Sequence, residues 1–166
     1  MSNIIKFPNP ILREIMPDFD FENPIMDPAL LETELVAAML NNGGIGLSAN
    51  QIGVRCKVFA MGHSENPESA QAFFNPVIIK VSPDTNDMIE GCLSFPGVYV
   101  NIKRPRVIQV GWQDRTGQWH EDEFDGYTAK CFCHEFDHLN GIAMPDRVSQ
   151  LRWAMSLKKS IKASKK

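Results

Sequence analysis

Apolar residues change their spacing several times along the chain, and each change marks an element. Leu31, Leu35, Ala38 and Met39 recur three or four residues apart, which places them on one face of a helix. Asp27-Pro28 supplies its N-cap and first helical residue, and Gly43-Gly44 ends it. β-rich runs follow at 54–61, 73–81, 107–112 and 118–124, separated by clusters of Pro, Gly, Asn and Asp. Gly117, in Asp114-Arg115-Thr116-Gly117, predicts a hairpin between the last two. A second helix is expected over 127–140, with Gly141 as its stop. The longest irregular stretch, 62–69, reads as a surface loop. No internal repeat is present, so the pattern predicts one α+β domain spanning 1–166, with a short basic end at 158–166.

Composition narrows the class without naming a chemistry. At 166 residues, 43% apolar and 22% charged, the chain is long enough for one sizeable core. No apolar run approaches the ~20 residues of a membrane span, and Met1-Ser2-Asn3-Ile4-Ile5-Lys6 lacks the apolar centre of a secretory signal. A cytoplasmic location is expected. Four cysteines without the spacing of a small secreted domain fit a reducing compartment. The net charge of −3 hides an asymmetry, because Lys158, Lys159, Lys162, Lys165 and Lys166 fall in the last nine residues. A basic end on an acidic body suits contact with RNA phosphates. It also suits a solvated helix terminus, where lysines complement the macrodipole.

The candidate chemistry lies in His134-Glu135-Phe136-Asp137-His138. On a helix, His134 and His138 stack one turn apart, so both rings can reach one ion at about 2.0–2.1 Å. Glu135 lies roughly 100° further round, where its carboxylate can hold a water instead of the metal. The alternative is two surface histidines with a solvated glutamate. Residues after His138 offer no suitable third ligand. Met144 stands where the HExxHxxGxxH pattern needs histidine, no glutamate follows Glu135, and Asp137 and Asp146 are badly placed. A third ligand must therefore come from upstream. Cys131 lies about 10.5 Å along the helix from His138, and Cys133 points about 100° away from His134. Cys56 belongs to a β-rich run. Cys92 differs, since the glycines and proline of Glu90-Gly91-Cys92-Leu93-Ser94-Phe95-Pro96-Gly97 mark an irregular segment able to present a side chain. Gly43-Gly44-Ile45-Gly46-Leu47-Ser48-Ala49-Asn50-Gln51 permits close backbone approach, or is only a helix C-cap. It has no phosphate-loop lysine.

Taken in order, GIGLSANQ, EGCLS and HEFDH resemble the three signature motifs of the peptide deformylase family, in spacing and in chain length. The resemblance implies antiparallel strands packed around a central metal-binding HExxH helix, and hydrolysis of the N-terminal formyl group of formyl-methionyl nascent peptides to release formate. It implies Cys92, His134 and His138 as ligands of one divalent metal, with Fe(II) the expected native ion and Zn(II), Ni(II) or Co(II) as alternatives. It implies Glu135 as acid/base, and Gln51 with the Leu93 backbone N–H as oxyanion donors. Gly44, Ile45, Gly46, Met88, Gly91, Leu93, Tyr127 and Cys131 are the candidate substrate-pocket residues. Asp137 is expected to pair with an upstream arginine, Arg104 being the candidate. Two positions depart from the family pattern, Ser48 for alanine and Cys133 for glutamine. Formyl-Met peptides, and weak ribosome contact through the basic end, are the expected partners of a monomer that binds neither DNA nor membrane. Another metallo-amidase or peptidase with the same three ligands is one alternative, and a non-catalytic metal-stabilised binding protein the other.

Overall fold

The computed structural model describes residues 3–63 and 65–164. Helix α1 (Pro28–Asn41) starts with Asp27 accepting a hydrogen bond from the Leu30 N–H at 2.9 Å and with Pro28 at its first position. Leu31, Leu35, Ala38 and Met39 form its buried face. Five strands make one antiparallel sheet in the order β1 (Gly46–Ser48), β2 (Val58–His63), β3 (Asn66–Val81), β6 (Val107–Gln113), β7 (Trp119–Asp125). Strand alternation divides the interior between two helices. Val58 and Ala60 of β2 with Phe74 of β3 pack toward α1. Phe59, Met61 and Phe73 face the opposite way, onto helix α2 (Gly126–Leu139), whose Ala129, Phe132 and Leu139 meet Ile108, Val110 and Trp112 there. A separate hairpin, β4 (Thr85–Cys92) and β5 (Phe95–Pro105), forms a third core from Phe95, Val98, Val100 and Ile102 against Ala143 and Met144.

Three expectations need correction. The first β-rich run starts late: β2 begins at Val58, and Cys56 sits buried on the approach to it. The stretch 62–69 is no loop, because β3 already begins at Asn66 and pairs back on β2. Its first residues are mostly exposed and polar, so no hydrophobic alternation betrays them. The segment around Cys92 is not irregular either; it is the tight turn of the β4–β5 hairpin, with Cys92 opposite Phe95. Helix α3 (Gln150–Ala163) starts where Ser149 accepts from the Arg152 N–H, and Trp153 sets its ring edge-on to Phe95 at 5.5 Å. Lys158, Lys159 and Lys162 lie exposed on α3, while Lys165 and Lys166 fall outside the described residues. No helix among the described residues is long and apolar enough to cross a membrane.

Candidate metal centre and catalytic cavity

Helix α2 runs through the middle of the molecule with His134, Glu135, Asp137 and His138 all buried. Gly141 turns the chain away from it at φ +69°, where any β-carbon would strike the Arg13 carbonyl. The two imidazoles face one another with their Nε2 atoms 3.2 Å apart. Cys92, carried to the same place by the end of β4, has its Sγ 3.2 Å from His138 Nε2. The sulfur and one nitrogen of each ring all lie within 4.8 Å of one another. One thiolate and two imidazoles are a donor set suited to a borderline divalent metal, so the residues fit such an ion.

Electrostatics separates Cys92 from the other cysteines. Burial opposes its thiolate, but the charge of His138 and hydrogen bonds from His134 and His138 outweigh burial and hold it well below its ordinary pKa. Burial alone pushes Cys56 up to about 12. Burial likewise raises Cys133 to about 11 and Cys131 well above its usual range. The Cys131 thiol instead donates to the Ile45 carbonyl at 3.4 Å.

Behind the donor set runs a chain of buried charges. His134 Nδ1 lies 2.9 Å from Glu90 Oε2, and a proton shared there leaves the Nε2 lone pair pointing at Cys92 and His138. Arg104 grips Glu90 through Nε at 2.8 Å and Nη2 at 3.0 Å, and donates from Nη1 to Asp137 at 2.6 Å. Arg147 donates to both oxygens of the same Asp137. Burial would raise the Glu90 carboxyl, but His134 and Arg104 bring it down to about 2. The Arg104–Asp137 pair expected from sequence is present; Glu90 and Arg147 were missed. Strand alternation from Cys92 puts Glu90 on the same face, a signal usable only once the segment is recognised as β.

Glu135 fills the space beside the donors. A β-carbon at Gly46 would lie 2.5 Å from Glu135 Oε1 and 2.8 Å from Cys131 Sγ, so only glycine lets the two segments approach. Ser48, fully buried, donates to Glu135 Oε2 at 2.8 Å. The hydroxyl that departs from the family's alanine thus holds the carboxylate. Burial raises the Glu135 pKa against the opposing charges of His134 and His138. Gln51 accepts from the Ser48 N–H at 2.9 Å, and its amide donates to Ser94 Oγ at 3.0 Å and points at Cys92 Sγ, 3.6 Å away.

Gln51, Glu90, Cys92, His134 and Glu135 line a cavity of about 450 Å³. Gly44, Ile45, Gly46, Gly91, Leu93 and Cys131 all form part of its wall. Met88 does not, because the strand carries it four residues from Cys92, about 13 Å away. Tyr127 does not either: 72% exposed at the start of α2, it borders a neighbouring groove of about 330 Å³ shared with Ile45 and Cys131. Lys130 and Tyr99, absent from the sequence reading, are wall residues.

A family model described as polypeptide deformylase matches residues 1–153. A peptide deformylase of Thermotoga maritima is 36% identical over 96% of this chain and 94% of the relative, and one of Agrobacterium fabrum is 37% identical over 98% and 95%. The solved peptide deformylase of Legionella pneumophila superposes with a TM-score of 0.89 at 28% identity, covering 99% of this chain and 96% of that one. That of Thermotoga maritima gives 0.83 at 35% identity, over 90% and 98%.

Proposed function

The chain belongs to the polypeptide deformylase family and is a hydrolase that removes the N-formyl group from nascent peptides; we propose that Cys92, His134 and His138 hold its metal and that Glu135 moves the proton. One observation carries this assignment: three donor atoms within 4.8 Å of one another, beside a buried carboxylate, in a cavity open to substrate. A divalent ion held there supplies a Lewis acid that brings a water's pKa toward about 7.

The remaining steps belong to the chain's own groups. Glu135, with one oxygen fixed by Ser48, has the other free to take the proton of the attacking water and pass it to the leaving amine. Its raised pKa makes it a readier proton acceptor than an exposed glutamate. As the formyl carbon becomes tetrahedral, charge grows on its oxygen. The Gln51 amide, already aimed toward Cys92, and the Leu93 N–H are the donors assigned to that oxygen, each worth ~2.7–4 kcal/mol in typical sites. Glu90 fixes the His134 ring, and Arg104 fixes Glu90.

Fe(II) is the native ion we assign, with Zn(II), Ni(II) and Co(II) as substitutes, in a monomer acting in the cytoplasm. Lys158, Lys159 and Lys162 on the exposed side of α3 suit contact with ribosomal RNA phosphates where chains emerge. The direct test is formate release from a formyl-Met tripeptide by protein loaded anaerobically with Fe(II), Co(II) or Ni(II). Turnover with at least one of them is expected, and formate from none would refute the assignment.

A further inference from the structure

The wall of the cavity carries two lysines that the reaction does not use, and one of them is largely buried. Lys130 is 9% exposed, on the first turns of α2, and faces the same cavity as His134 and Glu135. Its ammonium donates to the Ile89 carbonyl at 3.2 Å and lies 4.6 Å from the centre of the Tyr127 ring. It forms no ion pair among the described residues. Both acids in the wall are already engaged: Glu90 by Arg104 and His134, Glu135 by Ser48. A second lysine, Lys6, borders the cavity and, among the described residues, donates only to the Leu93 carbonyl, at 2.6 Å.

The Lys130 ammonium has three donors and meets one carbonyl and one ring face, so it keeps donors free for an anion. An apolar slot for a methionine side chain has no use for such a charge. We propose that Lys130 makes this cavity select formyl peptides that carry a carboxylate close to the formyl group, pairing with it by a charge-assisted hydrogen bond. The inference rests on the deformylase reading and specifies its substrate class. The carboxylate comes either from an acidic side chain among the first residues or from the terminus of a very short peptide.

Three matched pairs distinguish those sources in the metal-loaded enzyme: formyl-Glu-Ala-Ser amide against its Gln analogue, formyl-Met-Glu-Ser amide against formyl-Met-Gln-Ser amide, and formyl-Met against formyl-Met amide. At least one acid should exceed its neutral partner about tenfold in kcat/KM, the effect of one hydrogen bond to a charged group. The preferred pair identifies the source. Lys130→Met should bring that ratio close to one, and Lys130→Arg should keep it. Calorimetric binding of the unreactive acetyl analogues should follow the same order without any turnover. Ratios near one in every pair of the unaltered enzyme, or a preference that survives Lys130→Met, would overturn the inference alone. Formate from none of the six compounds would sink the deformylase reading along with it.

Discussion

Replacing Arg104 by methionine probes the buried charges that hold the site. Arg104 is 4% exposed and makes three hydrogen bonds, two to Glu90 and one to Asp137. Asp137 keeps Arg147 when Arg104 is lost, so the cost concentrates on Glu90, which is 2% exposed and retains only His134. Breaking one side of a buried pair in this way costs ~3–5 kcal/mol. That is a large share of the ~5–15 kcal/mol of an ordinary domain. At roughly 2–4 °C per kcal/mol for a chain of this size, Tm should fall by about 6–20 °C. Urea unfolding followed by tryptophan fluorescence measures the change directly. Because Glu90 orients His134, metal affinity should also fall, by roughly 10–100-fold. Adding Glu90→Gln to Arg104→Met should recover part of the stability, since it removes the stranded charge. A loss below about 1 kcal/mol for Arg104→Met, or no recovery in the double variant, would refute the description of the network as a buried pair.

Glu135→Gln should lower kcat/KM by about 10²–10⁴-fold while the protein still takes up one equivalent of metal, measured by elemental analysis; unchanged turnover would remove Glu135 from the proton path. Ser48→Ala frees the Glu135 carboxylate and should cost roughly tenfold in kcat/KM, the worth of one hydrogen bond to a charged group, with little change in metal content. An unaltered rate would mean that the hydroxyl only fills space. Asp114 accepts from the Thr116 hydroxyl and N–H and pairs with His120, and these bonds hold its pKa well below the usual range. A group depressed on folding contributes stability above its unfolded pKa and loses it as pH falls through its folded one. The gap between the parent and Asp114→Asn, read by urea unfolding, should therefore be widest near neutrality and shrink below about pH 4. A gap that ignores pH would contradict the ionised role.

What the sequence discloses follows from which signals are local. Helix α1 was legible because its cap, its first-turn proline and its stop all sit within the element, and α2 because its two histidines share one helical face. The β4–β5 hairpin was not, since Gly91, Pro96 and Gly97 read as an irregular segment while the alternation of Val98, Val100 and Ile102 beyond them went unused. That one omission hid Glu90, whose role depends on being a strand residue two places from Cys92. Arg147 was hidden differently: it reaches Asp137 only because the turn at Gly141 folds the chain back. Lys130 has no sequence signal at all. A lysine near a helix start reads as solvated, and only the packing of β4 and β1 around α2 shows that it is buried.

The measurement closest to the central claim is X-ray absorption on the Fe(II)- or Zn(II)-loaded protein, which counts the atoms around the ion. One sulfur at about 2.3 Å and two imidazole nitrogens at about 2.0–2.1 Å are expected, with the sulfur lost in Cys92→Ala. A shell of nitrogen and oxygen alone in the unaltered protein, or a sulfur that persists in Cys92→Ala, would contradict the account.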